Sequence, residues 1–343
     1  MFFRSLFLIL FSLLLFGCNN VVNREPDILY KTITTSKLTY IYEKAVFRSN
    51  RLGSIPEGQT ISVLLEPKNR WLQIRTSSGL VGWIETRDVL THSQYDEWQQ
   101  LGKKIESLKP QAHGDTAEEA NLRLRPGRES IKVLKLTGAR PVEIFSVAHT
   151  IKPGTEPKEQ KPEPPVKKPV VEKPKNPSSK KPKKKKPEGP VYETWYLVRT
   201  SDGIFGWLLS GLVNLTIPED IARYAENKQV LSWHILSAAK DSNGQEHPTY
   251  LSLERDHGTN QDFDRVRVLY WNPARKRHEL SYRIQNILGV LPVEVTRVDP
   301  GQPGFPRFKI HYLDEENPGE VIIEEYELNG VQVKKLNSIR EKI

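Results

Sequence analysis

Two stretches of this chain, offset by 124 positions (195 − 71), carry one pattern of apolar and polar residues. Residues 71–84 read WLQIRTSSGLVGWI and residues 195–208 read WYLVRTSDGIFGWL, so Trp, Arg-Thr-Ser, Gly and Gly-Trp recur in register without a gap. Each copy alternates apolar and polar side chains, breaks at a Gly-containing turn and resumes, which predicts a tight β-hairpin. Ser201-Asp202-Gly203 and Ser77-Ser78-Gly79 supply the turns. Gly82 and Gly206 bring a strand close to its neighbour, and the indoles that follow at Trp83 and Trp207 are expected to fill or cap a small barrel. Ahead of the hairpins, Ile61, Val63 and Leu65 mark one face of a strand, and Val142–Val147 is its counterpart.

Between the copies the period lengthens. Tyr95, Trp98, Leu101, Ile105 and Leu108 recur at three or four residues, which predicts a helix over residues 93–108 that packs on a barrel, with Ser93 as N-cap and Pro110 as its end. After Leu215, residues 218–227 suit a short helix. VRVLYW, HELSYRI, VEVTRV, FKIHYL, VIIEEYEL and VQVKKL then predict an antiparallel β domain with turns at Pro-Gly and Asn-Gly.

The hairpin pattern resembles the bacterial SH3 domain (SH3b). Trp71, Ile74, Gly79, Gly82, Trp83 and Val89 carry the likeness in the first copy, and Trp195, Val198, Gly203, Gly206, Trp207 and Val213 in the second. Asn121, Arg123, Pro126 and Gly127 resemble the opening of such a domain. The resemblance implies two small SH3-like barrels; with the connecting helix and the C-terminal antiparallel β domain read from the pattern, the chain is expected to be mostly β. The expected boundaries are a signal peptide over 1–17, a lipidated tether over 18–36, a first barrel over 37–91 and a helical connector over 92–114. A second barrel split between 115–149 and 192–216, an insertion over 150–191 and the β domain over 217–343 complete them.

The split follows from spacing. Leu136 lies 81 residues after Ile55, whereas Trp195 lies 124 after Trp71, so about 43 residues enter one loop of the second barrel. They hold a Pro/Lys-rich run without apolar periodicity, expected to be disordered. Splitting the segment between separate domains instead would leave two half-barrels with open edges.

Charge follows the same segment. The formal charge is +9 and the pI about 9.3, but residues 150–191 hold thirteen Lys against five Glu, a net of +8. The remainder is near neutral, which argues against a nucleic-acid-binding face. Lys180, Lys181, Lys183, Lys184, Lys185 and Lys186 are candidates for contact with anionic lipid or lipopolysaccharide, or a solvated segment that aids solubility.

The N-terminus reads MFFRSLFLILFSLLLFGC, a basic start, an apolar run of about a dozen residues and a small residue, as a secretory signal does. Leu15-Phe16-Gly17-Cys18 resembles a lipobox, with Phe16 a departure, and implies lipidation of Cys18 in a bacterial lipoprotein held at the membrane by its lipid. Asn19 leans toward the outer membrane, facing the periplasm.

Catalytic chemistry finds little support. Cys18 is the one cysteine, so a cysteine peptidase of the kind that accompanies SH3b domains has no thiolate. The eight His form no HxH or HxxxH pair, and Asp256, His257, Asp262 and Asp264 match no metal motif. No phosphate loop, dinucleotide fingerprint or GxSxG occurs. The expectation is a non-catalytic envelope lipoprotein without cofactor or metal. By resemblance its barrels bind peptidoglycan or an envelope protein through Tyr40, Tyr42, Trp71, Trp83, Trp195 and Trp207. The alternatives are a scaffold acting through its C-terminal domain and, less favoured, a wall-active enzyme.

Overall fold

The computed structural model describes residues 27–66, 69–155, 190–225, 228–256, 259–298 and 303–342. The chain divides into two compact units, Met1–Tyr95 and Asp96–Ile343.

The first unit holds strands β1 (Tyr30–Ile33), β2 (Leu38–Tyr42), β3 (Arg51–Pro56), β4 (Thr60–Leu65), β5 (Trp71–Arg75) and β6 (Val81–Glu85). They form one sheet in the order β1-β4-β5-β6-β2-β3, curled around Ile41, Ile55, Ile61, Val63, Leu72, Ile74, Ile84 and Val89. Tyr30–Ile33, read from sequence as tether, is thus part of the sheet and pairs with β4. A bulge between Val63 and Leu65 turns Leu64 into the interior and leaves Leu65 exposed, so the expected Ile61–Val63–Leu65 face breaks at its last member. In the β5–β6 turn Gly79 adopts φ 87°, and its N–H donates to the Thr76 carbonyl. Gly82 earns its place by proximity: a Cβ there would lie 2.4 Å from Ile41 Cγ2 and 2.9 Å from the Tyr42 carbonyl oxygen.

Helix α1 (His92–Ser107) follows. Its cap is Thr91 and not Ser93: Thr91 Oγ1 accepts from the Gln94 N–H, and Gln94 Oε1 accepts from the Thr91 N–H at 2.9 Å. This reciprocal box satisfies two otherwise orphaned donors. From Asp96 onward the helix belongs to the second unit.

That unit continues with β7 (Ala112–Thr116), β8 (Glu119–Arg123), β9 (Lys132–Thr137), β10 (Pro141–Ile151), β11 (Tyr192–Thr200), β12 (Phe205–Leu209) and β13 (Val213–Leu215). Their order, β13-β7-β10-β11-β12-β8-β9, repeats that of the first sheet with β13 added. In the first unit the Thr34↔Val89 bridge stands where β13 pairs with β7. Strands β10 and β11 pair from Val142↔Thr200 to Ile151↔Tyr192, with a bulge between Ile144 and Ser146. Lys152 N–H donates to the Val191 carbonyl, and Thr155 Oγ1 accepts from the Val191 N–H at 3.1 Å, so the ladder joins both sides of the long insertion. The insertion itself, residues 156–189, lies outside the described residues.

The remaining residues make α2 (Glu219–Ala222), shorter than the predicted 218–227, and a seven-stranded antiparallel sheet in chain order. Its strands are β14 (Gln229–Lys240), β15 (Glu246–Arg255), β16 (Phe263–Asn272), β17 (Arg277–Thr296), β18 (Arg307–Leu313), β19 (Glu320–Asn329) and β20 (Gln332–Lys342). HELSYRI and VEVTRV, expected as separate strands, are one 20-residue strand, β17. Its first half pairs with β16 and its second with β18. At the change of partner Asn286 takes φ 60°, and Gly289 leaves room for the Phe263 ring, whose Cδ2 would lie 2.3 Å from a Cβ.

Within the second unit the sheet and the barrel share buried polar contacts. Arg255 Nη2 donates to Thr194 Oγ1 at 2.7 Å, His149 Nε2 lies 2.9 Å from Asp262 Oδ1, and Gln111 Oε1 accepts from the Val293 N–H at 2.8 Å. Buried polar groups with partners fix one arrangement of the packed elements.

Candidate functional site

The outward face of the β5–β6 hairpin carries three cross-strand pairs: Trp71↔Glu85, Gln73↔Trp83 and Arg75↔Val81. Tyr42 extends this face from β2, where it pairs with Trp83. The loop between β2 and β3 then folds over it. Lys44 N–H donates to Ser49 Oγ at 2.8 Å, Glu43 N–H donates to the Asn50 carbonyl, and the Asn50 side chain donates to Glu43 Oε2. So closed, the loop sets Phe47 against the indole of Trp71 with ring centroids 5.2 Å apart. Tyr42 meets the same indole edge-on at 5.5 Å. Arg70 places its guanidinium 4.1 Å from the Phe47 centroid, a cation–π contact.

The three rings differ in access. Trp71 is 4% exposed and forms the floor, Tyr42 is half-buried, and Phe47 is 46% exposed beside an exposed Val46. Trp83 is half-buried at the next position of the face. The result is an aromatic ledge with polar groups of Arg70, Gln73 and Arg75 around it. Such a surface offers ring faces for apolar or C–H contact and donors to fix orientation.

The second barrel builds the corresponding place differently. Its β8–β9 loop has the same closure: Leu124 N–H donates to the Ile131 carbonyl and Arg125 N–H to Ser130 Oγ at 2.8 Å. Counted along this shared loop, Arg123 stands for Tyr42 and Arg128 for Phe47. Arg128 is held by Glu193 in a bidentate pair, and Arg125 by Glu97. The hairpin's outward face is covered by α1. Trp98 stacks on Phe205 at 4.6 Å and donates its indole N–H to the Phe205 carbonyl. Ile105, Phe145, Trp195, Leu197 and Trp207 form a core cluster there.

Of the residues singled out from sequence, the structure thus brings Tyr42, Trp71 and Trp83 together on one face. Tyr40 is 37% exposed under Arg51, 4.0 Å from its ring centroid. Trp195 and Trp207 are buried beneath α1, whose apolar seat includes Leu197 and Leu209 where the first copy has Gln73 and Glu85. Trp195 Nε1–H is satisfied by Thr150 Oγ1 at 2.9 Å. Phe47 and Arg70 were not picked out. The signal was present in the shared loop, where one copy carries Phe and the other Arg.

Cys18, His257 and Lys180–Lys186 lie outside the described residues. The remaining acids of the DHGTNQDFD stretch are occupied: Lys228 binds Asp264 at 2.8 Å and Asp256 at 3.1 Å, and Asp262 holds His149. Among the described residues no group of three or more His, Cys, Asp or Glu is placed to hold a metal. No helix among them is long and apolar enough to cross a membrane.

Comparison with known families divides the two copies. Residues 37–89 match the family described as bacterial SH3 domain, and residues 177–214 match the family described as GW (Gly-Tryp) dipeptide domain. The Gly-Trp pairs are Gly82-Trp83 and Gly206-Trp207, the repeated feature of the two hairpins. No curated protein matches the chain. Both kinds of module are typical of cell-wall or peptidoglycan binding, and the two matches point to an envelope-associated protein.

Proposed function

We propose that this protein is a non-catalytic wall-binding protein of the bacterial envelope, and that its ligand site is the aromatic ledge of the first barrel. The observation that carries the reading is the contrast between two copies of one fold. Where the first presents Phe47 and Tyr42 over a floor of Trp71, the second presents paired arginines and a helix-covered face. Phe47 packs on Trp71 yet stays exposed beside Val46, and with Tyr42 it makes an apolar patch of the kind that marks a binding surface. On this reading the ligand is a peptidoglycan peptide laid across the ledge, with Arg70 and Gln73 receiving its polar groups. The second barrel contributes a scaffold for the C-terminal sheet.

Cys18 would then carry the lipid that holds the chain at the outer membrane, and Lys180–Lys186 would add attraction to anionic headgroups. The test is co-sedimentation of the purified chain, lacking its first 18 residues, with isolated sacculi. Phe47→Ala is expected to abolish most of the pelleted fraction, while Arg128→Ala at the matching place leaves it unchanged. Equal loss from both, or release of soluble muropeptides by the wild-type chain, would sink the reading.

A further inference from the structure

The C-terminal sheet is apolar on both faces where it nears its end. One face of β18 and β19 is core: Phe308, Ile310, Tyr326 and Leu328 are all buried. The opposite face is set by the cross-strand register, since partners across an antiparallel ladder share a face. One row runs Val290, His311, Ile323, Ile339, and the next runs Leu288, Leu313, Val321, Glu341. Ile339 is 43% exposed and Leu313 37%. An antiparallel sheet that turns one face to water normally alternates apolar-in with polar-out. Here aliphatic side chains stand at the outward positions of adjacent strands, a pattern that marks an interaction surface.

The rim of this surface is acidic. A third row crosses the sheet as Glu294, Lys309, Glu325 and Asn337, and Glu341 stands at the other side. Three carboxylates face one ammonium, Lys309, which lies 3.7 Å from Glu294, and the row beyond them holds Arg307, paired with Glu327 at 2.8 Å, and Lys334. Ile323 and Ile339 floor a groove of about 340 Å3 between these groups.

Backbone pairing restricts what can fill it. Strands β18 and β19 each have hydrogen-bonded neighbours on both sides, so this face offers side chains alone. The sheet's nearer edge is β20, and a strand added there would lie beside the groove and not over Ile323, whereas a helix laid on the face brings only side chains and fits. A second copy seated on the same face by a two-fold axis would bring together two faces that each carry more carboxylates than ammonium groups. An anionic lipid surface would meet the same repulsion.

We propose that this face is the docking site for an amphipathic helix of a partner protein, aliphatic along its centre and bearing Lys or Arg along its flanks. The apolar row supplies the contact area and the carboxylates supply orientation and charge selection. The proposal is independent of wall binding by the first barrel.

The test uses the purified chain lacking its first 18 residues and two labelled synthetic helices of about four turns, one of Leu and Lys and one of Leu and Glu with the same apolar stripe. Fluorescence anisotropy is expected to show saturable binding of the Leu/Lys helix and none of the Leu/Glu helix. Ile339→Asp and Glu325→Lys should each weaken it by about tenfold or more, with circular dichroism unchanged. Glu118→Lys, an equal charge change on the second barrel, should leave it unaltered. Binding of both helices alike, equal weakening by Glu118→Lys, or self-association of the chain that Ile339→Asp removes would overturn the proposal.

Discussion

Phe47 and Arg128 hold the same place in two copies of one loop, and the physics of each is opposite. Phe47 keeps much of its ring in water and packs on Trp71 and Arg70, so Phe47→Ala should change unfolding free energy by about 1 kcal/mol. Trp195 has no such freedom. It is 2% exposed within the cluster under α1, and Trp195→Ala should cost about 3–5 kcal/mol. Urea denaturation of the two variants separates a ligand-facing aromatic from a packing one. Sequence alone did not make this separation: the four hairpin tryptophans sit at like positions of a repeat, and the covering of the second pair by α1 rests on Leu197 and Leu209, apolar residues at outward positions. His234 offers a second residue-scale test. Burial, aided by the nearby charge of His113, lowers its pKa from 6.5 to about 4. The unfolded chain therefore takes up this proton first as pH falls. Stability should be full above pH 6.5 and decline toward pH 4, with a slope of at most about 1.4 kcal/mol per pH unit from this group. His234→Gln should flatten that part of the curve, and an unchanged slope would show that the group titrates normally.

Among the elements, α1 is what gives the second barrel's hairpin face a cover of its own. Gly102 lets it approach: a Cβ there would lie 2.6 Å from Phe205 Cζ, and that ring is pinned by its stack on Trp98. Gly102→Ala gains up to about 1 kcal/mol of helix propensity and loses about 1–3 kcal/mol to overpacking, so the expected result is a lower midpoint of unfolding. A raised midpoint would mean that the helix does not seat as described. The helix was legible from its stripe of Trp98, Leu101, Ile105 and Leu108, which all reach the barrel. The hairpins were legible from alternation and turn glycines. Strands β14 and β15 were not. Bulges after Val230 and Ile235 shift the alternation of β14 twice, and Pro248 and His247 dilute β15, so neither shows a clean period of two. Strand β1 was missed for another reason: four residues beside a polar stretch carry too little pattern, and their place is set by pairing with β4.

At the scale of the molecule, a β-barrel is completed by strands from both sides of a long insertion. Thr155 and Val191 already touch through hydrogen bonds, so replacing residues 156–189 with a short turn leaves the ladder its full length. The shortened loop should leave stability unchanged or raise it by up to about 2 kcal/mol through closure entropy, measured by chemical denaturation. The extra spacing between repeats disclosed this arrangement in the sequence. The seam that joins barrel and sheet through Gln111, His149 and Arg255 was hidden, because single polar residues announce nothing until the fold pairs them. Location of the ligand remains the claim on which the functional account rests, and the seven tryptophans report on it directly. In a titration of the chain with soluble peptidoglycan fragments followed by indole N–H resonances, Trp71 and Trp83 should shift while Trp98, Trp195 and Trp207 stay fixed. Shifts confined to the latter three, or none at saturating fragment while sacculi still pull the chain down, would contradict it.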